Sequence, residues 1–311
     1  MILMCGTCRY KAYGLHVASD LLIPELVPDE DSSATPEVSI VLGKVPGALY
    51  GAVEKNDIYQ VTRNEYLLRI PKVAGYYVTN GDRIIVEIHE QSESRDARQF
   101  LLSTAFVALL LQRQIMVMHA SAVVMDGRCV LFTGEPGVGK STLAVALREQ
   151  GYSILADDVA SMAVGSNGDI MVQPGYPQQK LSRSSADAVG VDISCGVSVV
   201  SGSIKDKYII PADNAFSRSS ASLVAIYELT VGVSRKASIT RLASADKLRV
   251  VIKGTWCRLI DVLGHKTEHF NCCLEIVGRV AVSRLSRPRG VFSLGDQIGL
   301  VQEDLGRLIA G

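Results

Sequence analysis

The first ninety residues alternate apolar and polar side chains in short runs, and this period of two is typical of half-buried β-strands. The pattern predicts strands over residues 10–17, 38–42, 58–62, 66–70, 76–79 and 83–88. Asn80-Gly81 separates the last two strands and predicts a tight hairpin, because both residue types tolerate a positive φ. We therefore expect an antiparallel meander, and none of its residues suggests chemistry.

A longer apolar pattern with helical spacing follows over residues 95–113, and Ser94 is a candidate N-cap for this helix. The next apolar run, residues 117–124, predicts a strand that contains His119. Asp126-Gly127 then predicts a hairpin turn into a second apolar strand. This hairpin places His119 near the end of the sheet at which the second strand finishes.

The segment that follows this second strand matches the G-x-x-x-x-G-K-[ST] pattern of a nucleotide-phosphate loop. Its residues, all candidates for nucleotide binding, are Gly134, Glu135, Pro136, Gly137, Val138, Gly139, Lys140, Ser141 and Thr142. Glycines let the backbone turn tightly and direct its N–H groups at a phosphate, next to the positive end of the following helix. Lys140 is expected to reach the terminal phosphates of ATP, and the Ser141 hydroxyl is expected to bind Mg²⁺.

The flanking sequence supports this interpretation of the loop. Residues 129–133 predict the strand before it, and residues 143–150 predict a helix that ends at Gly151. A further strand over residues 152–156 ends in two carboxylates, Asp157 and Asp158. Strand, phosphate loop, helix and strand are the βαβ order that such a site requires.

Asp157 and Asp158 are candidates for the chemistry of phosphoryl transfer. One carboxylate can hold Mg²⁺ or its water shell, while the other accepts the proton of a hydroxyl or positions a water. Later in the chain, Lys180, Lys205 and Lys207 could contact phosphate or an acidic acceptor, but we interpret each as an ordinary surface lysine. Residues 161–164 and 170–172 predict a hairpin, and Ser182 predicts the start of a helix.

Composition limits the classes of function. The chain of 311 residues has a formal net charge of zero, 48% hydrophobic and 21% charged residues, as expected of a packed globular protein. A nucleic-acid binder would show a basic bias, so we expect a nucleotide rather than a nucleic acid as partner. Seven scattered cysteines do not suggest a disulfide framework. Neither a membrane span nor a secretion signal is evident, so we expect a cytoplasmic protein without a membrane partner.

The sequences around His119, the phosphate loop and Asp157-Asp158 together resemble the catalytic domain of HPr kinase/phosphorylase. The resemblance implies an α/β fold with a P-loop kinase core of the HPr kinase/phosphoenolpyruvate carboxykinase type. It implies that Lys140 and Ser141 are the phosphate and Mg²⁺ residues, and that His119 belongs to the active site. It further implies that Asp157 is the acid/base acting on the acceptor serine and that Asp158 is a metal-side partner, although the order of these two roles stays open.

The chain also departs from that family's pattern. Pro136 stands where the family has Ser, Ala120 follows the histidine where the family has Gly, and the family's Glu-x-Arg-Gly signature has no match after Pro177. Residues 1–90 do not resemble the family's N-terminal domain. These departures argue against HPr as the acceptor and against the reverse, phosphorylase reaction.

The whole chain is similar to the shorter HPr-kinase-like proteins found with peptide-tailoring genes, some of which phosphorylate lasso-peptide precursors. The similarity rests on residues 13–15, 22–26, 174–177, 207–211 and 280–288. It implies a β-rich N-terminal region over residues 1–92 and a catalytic domain over residues 93–311. It also implies an ATP- and Mg²⁺-dependent serine kinase whose partner is a precursor peptide, with a homo-oligomer as a possible state.

Two other functions stay open at this stage. One is a regulatory kinase that acts on HPr or another folded protein, which would need a docking surface for a globular partner. The other is a nucleotide-binding switch with no acceptor, which would bind ATP and hydrolyse it only slowly. A kinase for a small molecule such as free serine is a lesser alternative.

Overall fold

The structure is a computed structural model that describes residues 4–193, 197–198, 207–290 and 293–310. It has a mixed α/β fold with two large sheets and one small sheet. The strands are β1 (Met4–Ala12), β2 (Leu15–Leu21), β3 (Val27–Pro28), β4 (Val38–Leu42), β5 (Glu54–Lys55), β6 (Tyr59–Val61), β7 (Glu65–Ile70), β8 (Ala74–Thr79), β9 (Arg83–Ile88), β10 (Met116–Met118), β11 (Ala120–Met125), β12 (Arg128–Thr133), β13 (Ser153–Ala156), β14 (Ala160–Val164), β15 (Ile170–Gln173), β16 (Gln178–Ser182), β17 (Val197–Ser198), β18 (Lys207–Pro211), β19 (Ala221–Gly232), β20 (Ser238–Arg241) and β21 (Ala281–Pro288).

The α-helices lie between these strands and after the last one. They are α1 (Ser94–Phe100), α2 (Phe106–Gln112), α3 (Lys140–Glu149), α4 (Arg183–Val189), α5 (Ser244–Lys253), α6 (Cys257–Leu263), α7 (Lys266–Arg279) and α8 (Leu294–Ala310). A π-helical segment, Leu101–Ala105, joins α1 to α2, and Asp213–Ala215 form a 3₁₀ turn. None of the helices in the described ranges is both long and apolar enough to span a membrane.

The described residues group into two compact units. The first comprises residues 4–117 and 256–269, and the second comprises residues 118–193, 197–198, 207–255, 270–290 and 293–310. The division of the chain into residues 1–92 and 93–311 by function stays a prediction.

The first unit contains one sheet with the strand order β3-β1-β2-β4-β9-β8-β7-β6-β5. The run from β5 to β9 is the expected antiparallel meander, and Asn80 and Gly81 turn between β8 and β9 with φ of 54° and 69°. The prediction of a wholly antiparallel sheet is wrong at β4, which pairs in parallel with both β2 and β9. The long loop after β2 lets the chain re-enter the sheet in the same direction, which a tight turn cannot do.

Two further expectations for the first unit need correction. The single strand predicted over residues 10–17 is a hairpin, because Tyr13 and Gly14 adopt positive φ of 55° and 80° and reverse the chain. The helix predicted over residues 95–113 is present over residues 94–112, but Glu93 holds the N-cap position and makes no side-chain capping bond. Cys8 is disulfide-bonded, whereas Cys129, Cys257, Cys272 and Cys273 do not form disulfides.

The second unit is built around β19. This strand pairs in parallel with β12 on one side and β21 on the other, while β15 pairs antiparallel with its first residues. Beyond β12 the order continues through β11 to β13, and the predicted β11–β12 hairpin turns at Asp126 and Gly127 with φ of 49° and 72°. A separate antiparallel sheet has the order β16-β18-β17.

Helices α3 and α8 contribute to the hydrophobic core of this second sheet. Phe132 of β12 and Tyr227 of β19 stack with ring centroids 5.8 Å apart. Leu143 and Leu147 of α3 and Val301 of α8 belong to the same fully buried cluster. Burying side chains of this size stabilises the fold by about 1.5–3 kcal/mol each. The strand that carries the phosphate loop is therefore firmly anchored.

Candidate active site

The predicted site residues lie together at one end of the strands of the second unit's large sheet, which we call the loop edge. They do so because neighbouring strands begin or end there. Strands β12 and β13 both end at this edge, and each pairs antiparallel with β11, which begins there. The phosphate loop follows Thr133 at the end of β12, and Asp157 follows Ala156 at the end of β13. The start of β11 places His119 and Ser121 at the same edge. His119 therefore lies at the same end of the sheet as the loop, as the predicted hairpin requires.

The phosphate loop has the backbone that its glycines were expected to provide. Gly134, Gly137 and Gly139 adopt φ of 137°, 79° and 112°. A Cβ atom at Gly134 would lie 2.6 Å from the carbonyl oxygen of Leu229 in the neighbouring strand β19, so no side chain fits there. A Cβ atom at Gly137 or Gly139 would meet nothing within 4 Å, so the loop faces open space at these two positions.

Lys140 is the first residue of α3 and is buried. Its Nζ donates to the carbonyl oxygens of Gly134 at 2.9 Å and Glu135 at 3.3 Å, so the ammonium lies against the loop. Burial lowers the pKa of Lys140 below its ordinary value, although the charges of Asp158 and Asp157 oppose this change. At the far end of the same helix, Gly151 terminates it as expected, with φ of 94°.

The Asp157 carboxylate accepts three hydrogen bonds. Its Oδ1 accepts hydrogen bonds from the hydroxyls of Ser121 at 2.5 Å and Ser141 at 3.1 Å, and its Oδ2 accepts one from the Lys180 backbone N–H at 3.0 Å. Burial and the adjacent Asp158 charge raise the pKa of Asp157 to about 6, and the three hydrogen bonds limit this rise. A carboxyl with this pKa can hold or release a proton near neutral pH.

Asp158 is in a different environment although it is the next residue. Its backbone adopts a φ of 67°, which is uncommon for a residue with a side chain, and its Oδ2 lies 2.9 Å from the Nζ of Lys180. Burial would raise the pKa of Asp158, but the Lys180 ammonium, bonded to the carboxylate, outweighs burial and the pKa lies below its ordinary value. The Lys180 ammonium therefore favours the ionised form of Asp158, whereas burial and the neighbouring charge favour the protonated form of Asp157.

His119 does not lie in a continuous strand as predicted. It occupies a bend between β10 and β11, and its backbone N–H donates to the Gly254 carbonyl oxygen at 2.7 Å. Its Nδ1 donates to the Asp158 carbonyl oxygen at 2.9 Å, which leaves Nε2 as the acceptor nitrogen of the neutral ring. Burial and the Lys140 charge lower the pKa of His119, so the ring is neutral at pH 7. The bend turns His119 towards the aspartate pair.

A cavity of about 130 Å³ lies beside the loop. Its lining residues are His119, Thr133, Gly134, Glu135, Pro136, Glu228, Val250, Lys253 and Gly254. Two ion pairs involve this lining: Lys253 Nζ lies 2.5 Å from Glu135 Oε1, and Arg284 Nε lies 2.8 Å from Glu228 Oε2. The cavity is small, and it adjoins the loop on the side of Glu135.

Several residues of the site escaped sequence reasoning. Lys180 was interpreted as a surface lysine, but its side chain is only 14% exposed and contacts Asp158, so that interpretation is wrong. Ser121 carried one usable signal, because it is a lone hydroxyl in an apolar strand beside His119. Lys207 lies on β18, and its charge acts on Asp158 and His119. Lys205 lies outside the described residues.

The remaining loop residues have mainly local contacts. Thr142 donates to the Ser185 hydroxyl at 3.0 Å, and Ser182 caps α4 by accepting from the Ser185 N–H, so the helix predicted to start at Ser182 is confirmed. The Val138 carbonyl accepts from Arg287 Nε at 3.2 Å. Pro136 lines the cavity. All nine loop residues thus lie in or next to the predicted cradle.

Comparison with known proteins gives two sequence relatives. The chain is 28% identical over 164 residues to an HPr kinase/phosphorylase of Exiguobacterium sp., which covers 49% of this chain and 50% of that protein. It is 40% identical over 83 residues to an HPr kinase/phosphorylase of Lactobacillus delbrueckii subsp. bulgaricus, which covers 24% of this chain and 26% of that protein. The chain thus spans half the length of the first relative and about a quarter of the second. No family model matches it.

Among solved structures, the Hpr(Ser) kinase/phosphatase from Coxiella burnetii is similar with a TM-score of 0.33 and 15% sequence identity. The match covers 63% of this chain and 99% of that chain. A TM-score of this size does not establish a shared architecture, so the sequence similarity is what connects the chain with HPr kinase/phosphorylases.

Proposed function

Starting from similarity to HPr kinase/phosphorylases over part of the chain, we propose that this protein is an ATP-dependent serine kinase. The observation that carries the proposal is the Asp157 carboxylate, which already accepts hydrogen bonds from two serine hydroxyls at the edge of a phosphate loop. An acceptor serine would present the same chemical group to the same carboxylate. We further propose that the acceptor is a ribosomal precursor peptide of the lasso type.

The residues present fit ATP and Mg²⁺. The open space at Gly137 and Gly139 suits a phosphate chain, and Lys140 supplies a cation for it. Hydroxyl and carboxylate oxygens, here of Ser141 and Asp158, are the ligands that Mg²⁺ prefers. Bound together, ATP and Mg²⁺ would supply the γ-phosphoryl group and neutralise the charge on its oxygens.

Asp157 would act as the base. Its carboxylate takes the proton of the acceptor hydroxyl as the serine oxygen forms a bond to the γ-phosphorus and the bond from that phosphorus to the ADP oxygen breaks. Lys140 and the backbone N–H groups of the loop stabilise the charge that develops on the phosphate oxygens. If Ser141 turns to Mg²⁺, Asp157 Oδ1 loses one of its two hydroxyl donors and can accept the substrate hydroxyl instead.

His119 and Asp158 would complete the site. Neutral His119 would fix the backbone of Asp158 through the bond from Nδ1. Asp158, held ionised, is the carboxylate suited to a metal ion. The two aspartates would therefore differ in role, because the Lys180 ammonium pairs with Asp158, whereas Lys180 donates to Asp157 only through its backbone N–H.

A mass-spectrometric assay tests the proposal. The protein is incubated with ATP, Mg²⁺ and the precursor peptide encoded beside its gene, and in parallel with HPr. We expect the peptide to gain about 80 Da, the mass of one phosphoryl group, and the gain to vanish in Asp157→Asn. Phosphorylation of HPr alone would support the regulatory kinase instead. ATP binding with no gain on either acceptor would contradict a kinase and support the nucleotide switch.

A further inference from the structure

Lys180 makes two contacts that together involve both aspartates. Its backbone N–H donates to Asp157 Oδ2 at 3.0 Å, and its Nζ lies 2.9 Å from Asp158 Oδ2. The residue lies on β16, which belongs to the separate three-stranded sheet of the second unit. A residue of the three-stranded sheet thus binds both carboxylates that follow β13 of the large sheet.

These contacts engage three carboxylate oxygens of the pair that could otherwise bind a metal ion. Asp157 uses Oδ1 for two hydroxyls and Oδ2 for an N–H group, and Asp158 uses Oδ2 for the Lys180 ammonium. Mg²⁺ demands near-octahedral oxygen ligands and is usually held by one or two carboxylates plus phosphates of a substrate. Within the described ranges, no group of three or more His, Cys, Asp or Glu side chains could hold a metal ion.

The negative charge of the pair is also already partly compensated by two lysines. The Lys180 ammonium pairs with Asp158, and the buried Lys140 ammonium, which donates to the Gly134 and Glu135 carbonyl oxygens, acts on both carboxylates through its charge. A divalent cation that binds without a nucleotide would lie close to the Lys180 ammonium. The two positive charges would repel strongly, because burial reduces screening by water. The nucleotide would add several negative charges and change this balance.

We propose that Lys180 is a positioning residue that serves as an internal counter-charge for Asp157 and Asp158, so that the pair binds no divalent cation by itself and accepts one only together with a nucleotide. The inference rests on the proposed function, because it assumes that a nucleotide-bound cation is used. Lys180 acts through the aspartates and need not touch the acceptor. Removing its charge should give the aspartates an affinity for a free cation.

Electron paramagnetic resonance of Mn²⁺, which replaces Mg²⁺ as a probe, tests this in the nucleotide-free protein. We expect the wild-type protein without nucleotide to bind Mn²⁺ with a Kd above about 1 mM. Lys180→Met should tighten this binding at least about tenfold, because a buried positive charge beside the carboxylates is lost. Lys180→Arg keeps the charge and should behave as wild type.

Three controls separate this role from a structural one. Adding Asp158→Asn to Lys180→Met should abolish the gained Mn²⁺ binding. Lys253→Met removes another ion-paired lysine of the same unit, one whose partner is Glu135, and should leave Mn²⁺ binding unchanged. Thermal unfolding shows which variants are folded, and Lys180→Gln replaces Lys180→Met if the latter is not.

The outcomes are decisive for the inference. Tight Mn²⁺ binding by the nucleotide-free wild type would overturn it, as would equally weak binding by wild type and every folded charge-removing variant. If neither Lys180→Met nor Lys180→Gln folds, Lys180 is a structural residue and the inference is also overturned. Because the assay contains neither ATP nor an acceptor, its result is independent of whether the peptide gains a phosphoryl group.

Discussion

Two buried carboxylate networks in the second unit differ in how completely their charges are paired. Asp304 on α8 accepts from the Tyr227 hydroxyl at 3.0 Å and from Arg241 at 3.0 Å and 3.2 Å, so one carboxylate meets one cation and one phenol. At the loop edge, Asp157 and Asp158 are adjacent in sequence, one adopts a positive φ, and burial acts on both. In the first network, which we call the closed network, the carboxylate charge is paired with a cation. The second network holds two like charges next to each other.

This difference separates a structural from a functional arrangement. A carboxylate with matched donors fixes the packing of a helix on a sheet and gains nothing from a further ligand. Adjacent carboxylates in strained backbone persist only where the surrounding structure holds them, and such strain is concentrated at functional sites. The comparison predicts that changes at Asp157 affect activity and that changes at Asp304 affect stability.

The largest effect is expected for Asp157→Asn on phosphoryl transfer. An amide of similar size keeps the packing but cannot accept a proton, and general-base catalysis contributes about 10²–10⁴-fold to a rate. We expect the rate of transfer to fall by about this factor, measured by peptide mass over time, in protein that thermal unfolding shows to be folded. Asp304→Asn should retain the wild-type rate in the same assay. If folded Asp304→Asn lost as much activity as Asp157→Asn, the distinction between a structural and a functional network would be wrong.

Asp304→Asn should instead reduce the free energy of unfolding by about 1–3 kcal/mol. The buried Tyr227 hydroxyl keeps an acceptor only if the amide oxygen faces it, and Arg241 then loses its charged partner. Chemical denaturation measures this change, with Asp157→Asn as the matched control at the other network. Equal stability of wild type and Asp304→Asn would show that the closed network contributes nothing to folding.

The pH dependence of stability should differ between the two networks. The pKa of Asp157 rises from 3.8 to about 6 on folding, so the folded protein binds this proton more tightly than the unfolded chain. The group therefore favours folding fully below pH 3.8, and this contribution is lost as the pH rises from there through about 6. We expect a loss on the order of 3 kcal/mol in the nucleotide-free protein. Denaturation across this range should show it in wild type and Asp304→Asn but not in Asp157→Asn.

The smallest effect is expected at an ion pair that belongs to neither network. Lys253 and Glu135 are 61% and 68% exposed, and water and salt screen an exposed ion pair so that it contributes little to stability or binding. Lys253→Met should change the Michaelis constant for ATP by less than about fivefold and leave the maximal rate unchanged. Steady-state kinetics at low and high salt would check this. A loss as large as that of Asp157→Asn would make the exposed pair part of the chemistry.

Local sequence chemistry was sufficient for much of the site. The glycines of the loop, the Asp126-Gly127 turn and the two aspartates after β13 were all predictable, because each depends on residues close in sequence. Lys180 was not predictable, because its contact with Asp158 depends on how β16 folds back towards the end of β13. The bend at His119 was likewise missed, since an apolar run does not reveal where a strand is interrupted.

The same distinction applies to the fold. Hairpins with positive-φ turn residues were predicted, whereas the parallel pairing of β4 with β2 and β9 was not, because strand order across a long connection leaves no local signal. The acceptor peptide, self-association and a cytoplasmic location stay predictions.

The contact of Gly134 with the Leu229 carbonyl has a consequence for how the protein is made. Leu229 is synthesised about a hundred residues after Gly134, and a ribosome adding about 5–20 residues per second needs on the order of ten seconds for this stretch. Until β19 has emerged, nothing supports the loop from that side. A nascent chain that has not reached β19 is therefore expected not to retain ATP, so nucleotide capture is a late event in biogenesis.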